Sequence, residues 1–406
     1  MQFSAFSSTY FVPLPIFAIS LMVKIIHTSD WHIGLDFYQY DRSEEHRRFF
    51  AQLCDIVSEE KPDALIVSGD VYHTATPSAA AQKLYTGGMI ALHKACPSMT
   101  IVVVAGNHDS YTRLESTSEV WRLANVHVVG FVERNDKGEL CLDKHLIDVG
   151  GKCLVAAIPY VNNLQIVDLL KDEVRSRNKA RLPVVVMAHL AVSGSVTKGQ
   201  ELLTQGGLDY ESLDVFGNWY DYLALGHIHC PQTLKGSGGK ARYCGSPIRV
   251  NFDEDYTHSV SVVEVEAGQE PLVREVEIKS DVRFLTVPEK ALPLDEALEE
   301  LRKVDSDIQG FVRLNVLVKD YAPFDADARV LEVLKDKACR FCRINVVREV
   351  MSGVEKRDDV LGVQDIKALN PIVLAKRYYR ELYGMDMDDD LAELFMEAAA
   401  RAEQTE

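Results

Sequence analysis

Short runs of nearly unbroken apolar residues, most of them followed within three positions by Asp, Asn or His, constrain this chain more than any other feature. The runs cover residues 23–28, 64–67, 101–105, 153–158, 184–188 and 222–225 and are dense in Val, Ile, Leu and Ala. A strand with one wet face alternates apolar and polar residues, whereas an unbroken run marks a strand covered on both faces. Between the early runs lie stretches of helical spacing. In residues 43–60, Phe49, Phe50, Leu53, Ile56 and Val57 fall on one side, and residues 78–94 repeat the pattern. Together these predict an α/β domain of packed sheets with helices outside. Further on, Gly236-Ser237-Gly238-Gly239 predicts a hairpin loop, and residues 259–265 and 272–278 are expected to be alternating strands that close the sheet.

At 406 residues the chain has room for two or three domains. From Arg283 a smaller αβ module is predicted: a strand, a helix over 294–304, a strand over 311–318, a helix over 328–336 and a strand over 343–347. Two amphipathic helices follow at 370–384 and 389–402, the first with Asn370 as N-cap and Pro371 at its first helical position. The expected division is 1–21, 22–279, 280–350 and 351–406. Residues 1–21 are apolar, but the first Lys or Arg is Lys24 and Pro13 and Pro15 interrupt the run. They are expected to be a non-structural extension or the product of a mis-set start, with Met22 the true one, rather than a signal peptide. Nothing else is long and apolar enough to span a membrane, so no membrane association is expected. Eight cysteines without regular spacing predict reduced thiols in a cytoplasmic protein. The lone Cys339-Arg340-Phe341-Cys342 has no second pair to complete a zinc site and is expected to be an ordinary strand.

The polar residues after the strands carry the chemistry. They are Asp30-Trp31-His32, Gly69-Asp70 with His73 beyond it, Gly106-Asn107-His108-Asp109, the single His189, and Gly226-His227-Ile228-His229. Each alone is more often a turn or a capped surface residue. Five such signals, each at a strand end, are expected to meet in one crevice outside the carboxyl ends of the sheet. Imidazole, carboxylate and amide oxygen together suit Mn²⁺, Fe or Zn²⁺ better than an all-oxygen Mg²⁺ or Ca²⁺ cage. Two cations bridged by one carboxylate, with a nearby His to protonate a leaving oxygen, form a template for in-line phosphoester hydrolysis.

In this order the motifs resemble the signature of calcineurin-like metallophosphoesterases. The wider stretches His27-Thr28-Ser29-Asp30-Trp31-His32-Ile33-Gly34, Gly69-Asp70-Val71-Tyr72-His73 and Tyr243-Cys244-Gly245-Ser246-Pro247-Ile248-Arg249, with Phe252-Asp253-Glu254 after them, are similar to the SbcD family of DNA nuclease subunits. The similarity spans about residues 22–270. It implies a β-sandwich flanked by helices, a small α+β capping domain, and C-terminal helices that bind a partner. It also implies that Asp30, His32 and His229 hold one metal, that Asn107, His189 and His227 hold the other, and that Asp70 bridges. His108 would be the acid or transition-state stabiliser, His73 would assist at the phosphate, Asp109 would orient His108, and His27 would be structural. The implied cofactors are two divalent ions, Mn²⁺ above all. The implied activity is that of a double-strand 3′–5′ exonuclease and single-strand endonuclease that processes DNA ends and hairpins. The implied partners are DNA and an SbcC-like coiled-coil ATPase, with the chain a homodimer within a heterotetramer.

The same core would also serve a phosphodiesterase acting on a small nucleotide, since fold and metal core do not fix the substrate. A metal-bearing scaffold without activity is the third reading, and the complete ligand set opposes it. A net charge of −17 is unpromising for DNA unless basic patches are local. Arg42, Arg47, Arg48 and the run Arg175, Arg177, Lys179 and Arg181 are the candidates for such patches, against the plainer reading of a solvated charged face.

Overall fold

The computed structural model describes residues 22–161, 163–199, 210–319 and 321–348, with a few positions between 372 and 396. Two six-stranded sheets form its centre. The first contains β1 (Val23–Thr28), β4 (Ala64–Ser68), β5 (Thr100–Val104), β6 (Val126–Val129), β15 (Ser259–Val265) and β16 (Leu272–Glu277), in the order β16-β15-β1-β4-β5-β6. The second contains β7 (Leu146–Asp148), β8 (Leu154–Ile158), β9 (Val184–His189), β12 (Tyr222–Gly226), β13 (Gln232–Thr233) and β14 (Ala241–Tyr243), in the order β13-β14-β12-β9-β8-β7. β1, β4, β5 and β6 run parallel, as do β8, β9, β12 and β14. Antiparallel strands complete both edges: the β15–β16 hairpin beside β1, β7 beside β8, and β13 beside β14.

The unbroken apolar runs are explained by what covers each face. Side chains alternate across a strand, and both sets are buried here. Ile25, Ala64, Ile66, Val102 and Val104 point between the sheets and meet Val155, Ala157, Val185, Met187, Tyr222 and Ala224 of the other sheet. Their neighbours Ile26, Leu65, Val67, Ile101 and Val103 point outward, under α1 (Ser43–Glu60) and α2 (Ala79–Ala95). On the far side Ala156, Ile158, Val186, Ala188, Leu223 and Leu225 pack under α5 (Gln165–Arg177). The result is a layered sandwich of helix, sheet, sheet and helix, as expected. One detail differs: β15 does not alternate, because both its faces are covered, Val260 and Val262 joining the cluster under α1 and α2 and Val263 and Val265 the cluster between the sheets, with Glu264 alone partly open. Its outer neighbour β16 is open to water.

Smaller elements complete this unit. β2 (Asp36–Phe37) and β3 (Tyr40–Asp41) form a hairpin, α3 (Tyr111–Glu115) and α4 (Ser118–Arg122) lead into β6, and β10 (Ala191–Val192) pairs with β11 (Tyr210–Glu211). A three-stranded sheet of β17 (Arg283–Leu292), β18 (Gly310–Val318) and β19 (Cys339–Arg348) carries α6 (Leu294–Arg302) and α7 (Ala326–Leu334) on one face. Its other face meets Phe37 and Phe252 through Phe284 and Phe311. Cys339 and Cys342 lie on β19; residues three apart on a strand face opposite ways, and the two join different apolar clusters. A second unit begins at Arg348, and the predicted helices at 370–384 and 389–402 lie almost wholly outside the described residues, as do residues 1–21. No helix among the described residues is long and apolar enough to cross a membrane.

Candidate metal centre

Each predicted ligand sits at or just beyond the carboxyl end of a parallel strand. Asp30 and His32 follow β1, Asp70 follows β4, Asn107 follows β5, His189 closes β9, and His227 and His229 follow β12. Asp30 (φ 53°), His32 (φ 45°), Asp70 (φ 50°) and His227 (φ 98°) adopt left-handed backbone. That conformation costs a non-glycine residue roughly 1–2 kcal/mol, so the surroundings must impose it. The loops impose it on one another: Asp30 N donates to Gly69 O at 3.0 Å, His32 N to Asp70 O at 3.0 Å and Ile33 N to Val71 O at 2.9 Å.

Two glycines leave space that the site fills. A Cβ on Gly69, whose φ is +89°, would stand 2.2 Å from His189 Nδ1. A Cβ on Gly106 would stand 2.1 Å from Asp70 Oδ1. The glycine in each motif therefore makes room for the ligand of another strand.

The side chains converge as two groups around Asp70. In the first, His229 donates from Nδ1 to Glu254 Oε1 at 2.9 Å, because a carboxylate can only accept. Its Nε2 then faces His32 Nε2 at 3.1 Å. Asp30 joins them, with ligand atoms of all three within 4.8 Å of one another, and accepts the His227 backbone N–H at 3.1 Å. In the second group, His189 donates from Nδ1 to the Ser68 carbonyl at 2.8 Å and turns Nε2 toward Asn107 Oδ1 at 3.0 Å. His227 Nδ1 approaches the same Asn107 oxygen at 3.0 Å. Asp70 spans the two, with Oδ2 3.7 Å from His32 Nε2 and Oδ1 3.4 Å from His189 Nε2.

His73 and His108 stack at one side of these groups, with ring centroids 5.6 Å apart. His108 donates its backbone N–H to Asp70 Oδ1 at 3.0 Å and its Nδ1–H to the His73 carbonyl at 2.8 Å. His73 Nδ1 lies 3.4 Å from His32 Nδ1, and the atoms of His32, His73 and His108 also fall within 4.8 Å of one another.

The electrostatics follow from burial and crowding. Burial drives His32 well below its ordinary value, takes His227 down to about 3 and His73 to about 4, with neighbouring imidazoles adding to the last two. Burial likewise raises Asp30, helped by the charge of Asp70. Burial opposes ionisation of Asp70 and His189 too, but their mutual attraction wins: Asp70 falls well below the usual range and His189 rises to about 9. The donor set fits divalent cations. Burial keeps His32 and His227 neutral, and neutral imidazoles supply the lone pairs a metal needs. His189 Nε2, 3.4 Å from Asp70 Oδ1 and 3.0 Å from Asn107 Oδ1, holds a proton toward these oxygens where a cation would take its place.

Other predicted residues fare differently. Asp109 does not hold the His108 ring. Its carboxylate accepts the backbone N–H groups of Gly106 (2.9 Å), Val71 (3.1 Å) and Tyr72 (2.8 Å), stapling the loop after β5 to the loop after β4. Burial and the charge of Asp70 raise its pKa to about 7. The His73 carbonyl orients His108 instead. His27 lies between the sheets, bonded to Tyr222 Oη at 2.8 Å and near Ser68 Oγ at 3.2 Å, as suits a structural residue. Arg42 is buried on Glu45 and among Phe37, Phe284 and Phe311, which removes it from any DNA-facing patch. Arg47, Arg48, Arg175 and Arg177 all pair with neighbouring carboxylates. Glu254 was missed as a site residue, although it ends one of the motif stretches; its contact with His229 bridges 25 positions that no local pattern connects.

Fold and ligand geometry together define a metal-dependent phosphoesterase. A family model for calcineurin-like phosphoesterases matches residues 23–231, the segment that carries every predicted ligand. Among curated proteins, the SbcD component of the SbcCD nuclease of Rhodobacter capsulatus is 33% identical over 70% of this chain and 76% of its own length. The corresponding SbcCD nuclease components from Bacillus subtilis and Escherichia coli K12 are each 26% identical, over 94% and 90% of this chain and 99% and 94% of their own lengths. The chain belongs to the SbcD family of calcineurin-like phosphoesterases.

Proposed function

We propose that this chain is the nuclease subunit of an SbcCD-type complex, acting on DNA ends and hairpins with two divalent ions, manganese by preference. It would cut double strands as a 3′–5′ exonuclease and single strands as an endonuclease. The observation that carries the proposal is Asp70, whose two carboxylate oxygens face His32 and His189, one from each ligand group. Asp30, His32 and His229 would hold one ion, Asn107, His189 and His227 the other, with Asp70 between. Bound there, the ions supply Lewis acidity that activates water and neutralises the phosphate. His108 is held at its backbone N–H by Asp70 and at Nδ1 by the His73 carbonyl, which leaves Nε2 as the ring atom to carry a proton to the departing oxygen. His73, stacked on it, steadies the phosphate.

The remaining parts of the proposal concern the rest of the chain. Residues 22–279 would form the nuclease domain, residues 280–350 a cap that shapes entry for a DNA end, and residues 351–406 the segment that binds an SbcC-like coiled-coil ATPase. The assembly would be a cytoplasmic heterotetramer built on a homodimer of this chain. Family membership and the extent of the match to SbcD proteins support these statements. The test offers purified protein and Mn²⁺ both a duplex DNA end and bis-p-nitrophenyl phosphate, with and without an SbcC-type partner. Degradation of both is expected. Turnover of the small ester with no attack on DNA under either condition would replace this proposal with a small-nucleotide phosphodiesterase.

A further inference from the structure

We infer that Glu254 is a positioning residue for His229, and that the small β17–β18–β19 module fixes Glu254 through the Asp253–Arg313 ion pair. The inference rests on the metal-centre reading above.

Glu254 is fully buried. A carboxylate without solvent is costly unless hydrogen bonds replace its hydration. Here one oxygen accepts a hydrogen bond from His229 Nδ1–H at 2.9 Å, and the other accepts the Val250 N–H at 2.8 Å with His258 Nε2 3.8 Å away. An apolar residue of similar volume would pack at less cost, so the charge is explained by what it does to His229. It fixes the tautomer and the ring direction, which aims Nε2 at the space shared with His32 and Asp30. Carboxylates behind ligating imidazoles act in this way. His229 has particular need of it: it stands in the loop three positions past the end of β12, whereas His189 is set by its own strand.

The segment that carries Glu254 is itself gripped from the module. Arg249 closes the turn on the carbonyls of Asn251 (3.0 Å) and Phe252 (2.7 Å) and lies 5.0 Å over the Phe284 ring of β17. Arg313 of β18 forks onto Asp253 at 2.7 and 3.0 Å, and its Nε holds Thr286 Oγ1 at 3.2 Å. Phe252 packs between Phe37 and Phe284, with centroids 5.3 and 5.6 Å away. Asp253 thus answers to the module and its neighbour Glu254 to the metal ligand. The Asp253–Glu254 peptide and the Glu254 side chain link β18 to His229.

The test measures Mn²⁺ binding by calorimetry on the full chain, with thermal melting to verify folding. Glu254→Ala is expected to weaken Mn²⁺ binding 10- to 100-fold. Glu254→Gln, whose amide oxygen can still accept from Nδ1, should recover part of the loss. Arg313→Met should weaken binding by a smaller factor and add nothing on the Glu254→Ala background, since both act through one path. Wild-type affinity in both Glu254→Ala and Glu254→Gln overturns the positioning role. Should Glu254→Ala fail to fold, Glu254→Gln and Arg313→Met both at wild-type affinity overturn the inference. Wild-type affinity in Arg313→Met alone overturns the link to the module. Asp70→Ala separates the two levels: if it too binds Mn²⁺ normally, the metal-centre reading falls, and if it alone loses Mn²⁺, only the present inference does.

Discussion

Gly69→Ala should damage the metal centre while sparing the fold. The new Cβ would lie 2.2 Å from His189 Nδ1, 2.6 Å from its Cγ and 2.9 Å from its Cβ, so the imidazole must move. Moving it breaks the 2.8 Å bond from Nδ1 to the Ser68 carbonyl, worth about 0.5–1.5 kcal/mol. Alanine at φ +89° adds roughly 1–2 kcal/mol of backbone strain. The total, about 1.5–3.5 kcal/mol, is below the roughly 5–15 kcal/mol that holds a domain folded. Gly138→Ala is the matched control, because its φ is +80° but nothing lies within 4 Å of its added Cβ. Urea denaturation should show both variants destabilised, Gly138→Ala by the strain alone. Calorimetric titration should show Mn²⁺ binding weakened on the order of 10- to 100-fold in Gly69→Ala only. Unchanged Mn²⁺ binding in Gly69→Ala, or an equal loss in Gly138→Ala, would refute the reasoning.

Three further predictions concern His108, Asp109 and the C-terminal segment. His108→Ala should bind Mn²⁺ normally yet hydrolyse bis-p-nitrophenyl phosphate about 10²- to 10⁴-fold more slowly; loss of metal instead would move His108 into the ligand set. Asp109→Ala leaves three buried N–H groups without their acceptor, so denaturation should show a loss of about 3–6 kcal/mol, and a loss below about 1 kcal/mol would contradict the loop-staple role. Deleting the residues after Gly384 should weaken pull-down of an SbcC-type partner and leave small-ester hydrolysis intact; unchanged capture would place the docking segment elsewhere.

The sandwich was legible because burial on both faces writes an unbroken apolar run, as in Ala64–Ser68 and Val184–His189. The site was legible because parallel strands of two sheets end on one side, so that Asp30, Asp70, Asn107, His189 and His227 had to meet. What stayed hidden depends on how loops lie against each other. The alternating pattern expected of β15 failed because what covers its outer face, the cluster under α1 and α2, comes from distant parts of the chain. Asp109 was expected to serve the adjacent His108, yet it reaches across to Val71 and Tyr72, which only the packing of two loops determines. Glu254 carries no periodic or motif signal of its own as a partner of His229. Arg42 illustrates the converse: a basic residue beside Arg47 and Arg48 is buried because Phe37, Phe284 and Phe311 surround it from distant parts of the chain.

The central claim is that two divalent ions share Asp70. Anomalous scattering from a Mn²⁺-soaked crystal tests it most directly. Two peaks are predicted, one among Asp30, His32 and His229 and one among Asn107, His189 and His227, both adjoining Asp70. A single peak, or a peak held by His32, His73 and His108 with none at Asp70, would contradict it.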